Sequence, residues 1–142
     1  MSGIRLKILI ADDTPTNVKQ LEVLARRAGH IPILADDGQS AIDQFRLESP
    51  DLVFMDIMMP GMDGITAVQR IREIPTNKWT PIIFYSALDR MQDIVRGLEA
   101  GGDDYVVKPA SIPLLQAKIK AYSRLLALQQ KEQVYIEELR NW

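Results

Sequence analysis

The chain has 142 residues, a length that suits one domain with a tail rather than two full domains. Its hydrophobic fraction of 46% suffices for a real core, and a formal net charge of −2 gives no overall pull toward nucleic acid or an anionic membrane. With no cysteine, disulfides, thiolate metal sites and a cysteine nucleophile are excluded. The N-terminal MSGIRLK lacks the long apolar stretch of a secretory signal, and no apolar run approaches a membrane span, so the expectation is a soluble, cytoplasmic protein.

Along the chain, short apolar runs alternate with longer amphipathic stretches. Residues 6–11 (LKILIA) read as a strand that stops at Asp12 and Asp13. In 16–28, Val18, Leu21, Leu24 and Ala25 share one helical face, with Gly29 as the stop. Residues 30–35 (HIPILA) form a weaker strand, and Pro32 places it at a sheet edge. A helix over 38–47 follows, then the strand 52–55 (LVFM), which ends at Asp56. Beyond a turn with Pro60 and Gly61 come a helix over 64–72, a strand over 81–85 (PIIFY) and a helix over 90–100. A short strand over 105–107 precedes a long helix from about Ser111.

Five strand–helix units in succession favour a parallel sheet with helices on both faces. The continuous apolar character of LVFM and PIIFY fits strands buried on both sides. Right-handed crossovers put every strand's carboxyl end on one edge, where such folds hold their ligands.

That edge gathers an unusual set of residues. Asp12 and Asp13 follow the first strand, Asp56 the third, Ser86 the fourth, and Lys108 with Pro109 the fifth. Crowded carboxylates repel one another, and a hard divalent cation with oxygen ligands relieves the conflict, which favours magnesium or calcium over zinc. A carboxylate can attack phosphorus to give an aspartyl phosphate, and a metal ion with a lysine would neutralise charge on the transferring group. Ser86 can donate a hydrogen bond to a phosphate oxygen. Taken singly, each residue has an ordinary explanation: a helix-capping turn for Asp12 and Asp13, a loop acid for Asp56, a surface charge for Lys108, a turn serine for Ser86. Their joint arrival at matching strand ends is what those explanations leave out.

The segments ILIADD, LVFMDIMMPGMDG, PIIFYSA and GGDDYVVKP resemble, in order and spacing, the signature blocks of response-regulator receiver domains, over roughly residues 5–125. The resemblance implies a flavodoxin-like (βα)5 fold with strand order 2-1-3-4-5. It implies Asp56 as the phosphoacceptor and Asp12, Asp13, Asp56 and the backbone carbonyl of Met58 as magnesium ligands. Lys108 then has the place of the phosphate-binding lysine, with a cis bond to Pro109. Ser86 has that of the phosphate-sensing alcohol, and Tyr105 that of the switch aromatic. Periodicity alone would make Tyr105 only a strand aromatic at the sheet edge. A histidine kinase or phosphotransfer protein is the implied donor, and the surface of helix four, strand five and helix five the implied output face. Ala87, being small, leaves its N–H open to phosphate, while Met58 and Leu88 flank the site.

Two other α/β classes share parts of this pattern. A flavodoxin-like electron carrier needs a hydroxyl- and glycine-rich loop after the first strand, where this chain has Asp12-Asp13-Thr14-Pro15. A haloacid-dehalogenase-type phosphatase needs a second acid two residues after its nucleophile, and Met58 stands there. His30 is the sole histidine and begins an edge strand far from the acids, so it is not a phosphodonor. Asp36, Asp37, Asp51, Asp63, Asp103 and Asp104 read as turn or cap residues, and Met55, Met58, Met59 and Met62 as packing.

The division expected is a receiver over 1–124 and a helical tail over 125–142. Leu115, Ile119, Tyr122 and Leu126 form a stripe suited to docking on the sheet. A second stripe, Leu125, Leu128, Glu132, Tyr135, Leu139 and Trp142, alternates spacings of three and four. It reads either as a short coiled-coil seam or as a solvated helix with scattered apolar residues. Under the first reading the tail is a stalk toward an output domain outside this chain, and homodimerisation would use it or the face of helix four, strand five and helix five.

Overall fold

The computed structural model describes residues 4–141. Its elements in chain order are β1 (Lys7–Ala11), α1 (Pro15–Arg27), β2 (Ile31–Ala35), α2 (Gly38–Glu48), β3 (Leu52–Met55), α3 (Gly64–Arg72), β4 (Ile82–Ser86), α4 (Met91–Ala100), β5 (Asp104–Val107) and α5 (Ile112–Arg140). All pairings are parallel and the order is β2-β1-β3-β4-β5, as the sequence led us to expect. Pro32 sits on the edge strand β2, where its missing N–H costs no ladder bond.

The strand residues divide strictly by parity between two cores. Leu9, Val53, Met55, Ile82 and Phe84 face the layer of α2 and α3. Ile8, Ile10, Leu52, Phe54, Ile83 and Tyr85 face α1 and α5. β3 and β4 are buried throughout, which is why their sequences show no polar alternation. Each large aliphatic side chain so buried stabilises the fold by about 2 kcal/mol, so the central strands dominate. α4 contributes least, because Gly97 is its only buried residue.

Local signals set the helix boundaries. α1 begins with Pro15 in its first turn and ends before Gly29, whose φ of 88° suits glycine. Asp37 and Asp63 cap α2 and α3 by accepting the N–H groups of Ser40 and Thr66. The start of α3 bears on the site directly. Gly64 donates to the Ile57 carbonyl at 2.8 Å, and a Cβ there would collide with the Asp56 carbonyl. Only glycine allows the helix to begin so close to the strand end that carries Asp56.

His30 is buried at the opposite end of the sheet, where its Nδ1 accepts the Leu6 N–H at 3.1 Å. Burial lowers its pKa below 6.5, with the Asp51 charge opposing the shift. The folded chain therefore binds a proton at His30 more weakly than the unfolded chain. Stability should fall as pH drops below about 6.5 and level off once pH passes the folded pKa. Urea unfolding at pH 7.5 and 5.5 tests this: the wild-type midpoint should fall, and His30→Gln should show a flatter response over that window.

Candidate functional site

Asp12, Asp56, Ser86 and Lys108 each stand at or one step past a strand end, and Asp13 follows two steps past β1. The Asp12 N–H donates to the Ala35 carbonyl at 3.0 Å, the Asp56 N–H to Ala11 at 2.9 Å, and the Lys108 N–H to Ser86 at 2.8 Å. Their side chains then converge. Lys108 Nζ lies 2.7 Å from Asp12 Oδ2 and 3.1 Å from Asp56 Oδ2, contacts that span 96 and 52 positions of sequence. Asp12 and Asp56 are buried, at 3% and 6% exposure, while Asp13 is exposed. Asp12 Oδ1 also accepts the Thr14 N–H at 2.9 Å, and Asp56 Oδ1 the Met58 N–H at 3.3 Å.

Burial raises the Asp56 pKa above 3.8; Lys108 opposes this and the Asp12 charge adds to it. Burial alone would lower the Lys108 ammonium, but the two carboxylates outweigh it and hold the pKa above 10.5. Carboxylate oxygens of Asp12, Asp13 and Asp56 lie within 4.8 Å of one another. This all-oxygen donor set, closed by two buried acids and open to water at Asp13, fits a hard divalent cation of the magnesium or calcium class.

Ser86, Leu88 and Tyr105 form a second group beside the acids. Ser86 is fully buried, and its Oγ accepts the Leu88 N–H at 3.3 Å. The Tyr105 hydroxyl donates to the Leu88 carbonyl at 2.6 Å. The β4–α4 loop is thus gripped on both sides of one peptide residue. The Tyr105 ring packs against Phe84, centroids 6.0 Å apart, under Gly97. Burial pushes its phenol pKa up. The Lys108–Pro109 peptide is cis.

Three contacts escaped the sequence reading. Tyr85, the last residue of PIIFY, puts its ring beneath Lys108 Nζ, 5.2 Å from the centroid. Leu88 acts through its backbone, for which its side chain gives no signal. Asp104 is not a turn residue but the first residue of β5, and it accepts Lys118 Nζ at 2.7 Å and the Tyr122 hydroxyl at 3.3 Å. That acid pushes the Tyr122 phenol, already raised by burial, up to about 12. Asp51 and Asp103 likewise tie chain segments together, Asp51 through the Lys7 N–H and Lys78, Asp103 through Arg72 and the Ile82 N–H.

In the tail, Leu115, Ile119 and Leu126 are buried and Tyr122 is half-buried, so the first stripe does dock on the sheet. Leu125, Leu128, Glu132, Tyr135 and Leu139 are exposed along a helix that continues to Arg140; Trp142 lies outside the described residues. Among the described residues no helix is long and apolar enough to cross a membrane.

Known proteins place this geometry in a family. The family model described as response regulator receiver domain matches residues 8–120. The chain is 43% identical over 118 residues to a Guillardia theta protein named probable transcriptional regulator ycf27, covering 83% of this chain and 45% of that one. To response regulator PleD of Caulobacter vibrioides it is 33% identical over 134 residues, 94% of this chain and 28% of PleD. It therefore spans less than half the length of these two relatives. Among solved structures, a two-component response regulator from Clostridium difficile superposes with a TM-score of 0.77 at 34% identity, covering 83% of this chain and 95% of that one. Fold, motif blocks and relatives agree, and the chain belongs to the response regulator receiver domain family.

Proposed function

We propose that the chain accepts a phosphoryl group on Asp56 from the phosphohistidine of a histidine kinase or phosphotransfer protein. The carrying observation is the shared ammonium: Lys108 Nζ bridges Asp12 and Asp56 across most of the sequence. Asp56 Oδ attacks phosphorus, an O–P bond forms and the donor's N–P bond breaks. The imidazole leaves with that bond's electron pair, its other nitrogen carrying the proton. Lys108 turns to the phosphoryl oxygens, and Ser86 donates its hydroxyl to one of them.

Asp12, Asp13, Asp56 and the Met58 backbone carbonyl would hold Mg2+, which supplies charge neutralisation for the transferring group. Once Ser86 engages phosphate, Leu88 and Tyr105 respond through their mutual bonds, so the face of α4, β5 and α5 changes by a population shift. The chain is a stoichiometric acceptor, with only slow loss of its own phosphoryl group, and works in the cytoplasm.

The receiver occupies 1–124, and 125–142 is a helical stalk toward an output domain. A 134-residue match to PleD cannot avoid most of the stalk, whereas the 118-residue match to the Guillardia protein can. Homodimerisation along the exposed Leu125, Leu128, Tyr135 and Leu139 stripe is part of this proposal.

Three outcomes follow. Incubated with a labelled acyl phosphate and magnesium, the wild type should take up label, and Asp56→Asn or chelation should reduce uptake at least about a hundredfold, the scale at which a positioned catalytic group acts. Wild-type labelling of Asp56→Asn would remove the acceptor assignment. In metal-free buffer at pH 7, Asp56→Asn should raise Tm by a few degrees. Because the carboxyl pKa is raised, wild-type stability is lost as pH rises from the unfolded value of 3.8 through the folded pKa and levels off above it, so the gain should shrink toward pH 4. Sedimentation of the full chain should show Leu128→Asp shifting any dimer toward monomer; an unchanged dimer would exclude the stalk seam.

A further inference from the structure

The Lys108 ammonium has three neighbours, of which only two are carboxylates. The third is the ring of Tyr85, which is 2% exposed and lies 5.2 Å from Nζ to centroid, within cation–π range. The Tyr85 hydroxyl approaches Gln20 Oε1 of α1 at 3.4 Å, so the ring is tethered on its far side. Core packing alone does not require this arrangement, since the neighbouring inward positions of this face, Ile83 and Val106, are aliphatic.

We infer that Tyr85 is a positioning residue for phosphoryl transfer: its ring forms the floor that keeps the Lys108 ammonium aimed at the acceptor. The inference rests on the reading of Lys108 given above. Asp12 and Asp56, which hold the ammonium, are also two of the three acids that a divalent cation would take. A lysine stem has four rotatable carbons, and an ammonium deprived of its carboxylates would be drawn toward water. An aromatic face attracts the ammonium but offers a hard dication no oxygen ligand, so this contact survives when the acids are shared out. A site enclosed on that side by an aliphatic residue would leave the ammonium to the acids alone.

The contact can be read without metal or substrate. A ring below the lysine should shift the Lys108 ε-methylene protons upfield in the NMR spectrum of the metal-free wild type, and Lys108→Met assigns the resonance. The shift should persist in Tyr85→Phe and vanish in Tyr85→Leu. Acyl-phosphate labelling should then fall roughly tenfold in maximal rate in Tyr85→Leu, the scale of a desolvated cation–π contact. Tyr85→Phe should stay within about twofold of wild type, because it keeps the ring and loses only the long Gln20 contact. An unshifted wild-type resonance, or Phe falling as far as Leu, would overturn the inference, as would Leu labelling at the wild-type rate. Wild-type labelling by Lys108→Met would instead overturn the site reading, while the shift would still decide whether the ring holds the ammonium.

Discussion

The site depends on a charge conflict gathered at one point. Folding brings three carboxylates to the carboxyl edge of the sheet and sends one ammonium among them, leaving two negative charges uncompensated. Buried ion pairs contribute little to net stability, because desolvation offsets their attraction. The conflict is therefore maintained by the apolar strands around it and not by the site itself. β1, β3 and β4 are buried along nearly their whole length, and their ladder bonds continue one residue further into Asp12 and Asp56. What remains is a cup with a standing demand for positive charge, a setting that fits a hard dication.

β4 joins this cup to both helical layers. Its consecutive aromatics point to opposite faces: Tyr85 lies under Lys108 on the α1 and α5 side, and Phe84 packs with Tyr105 on the side of α2 and α3. Ser86, next in line, holds the loop leading into α4. Three successive residues of one strand thus touch Tyr105, Lys108 and the β4–α4 loop in turn. Asp104 extends the link on the neighbouring strand, because its bonds to Lys118 and Tyr122 tie the start of β5 to α5, the helix that runs on into the tail.

Much of this was legible in the residues. Continuous apolar runs such as LVFM identify central strands because both faces are covered, and Pro32 marks an edge because a missing donor is tolerated only there. The acids, Ser86 and Lys108 were legible because the parallel topology sends every strand end to one side. Tyr85 was not, since an aromatic in a buried strand looks like packing until the neighbouring cation is placed over it. Leu88 acts through its peptide group, which every residue shares. Asp104 was hidden for another reason: acids are common in turns, and only the register of β5 against β4 shows that the strand has already begun there.

α4 meets the body of the protein through a residue that has no side chain. A Cβ at Gly97 would fall 3.0 Å from Phe84 and 3.3 Å from Tyr105, so the helix backbone rests almost directly on those rings. Met91, Val95 and Leu98 are left facing outward. Replacing them changes the outer surface without opening a hole in the interior. The side chains of this face can therefore diversify freely, at almost no risk to the fold that carries them.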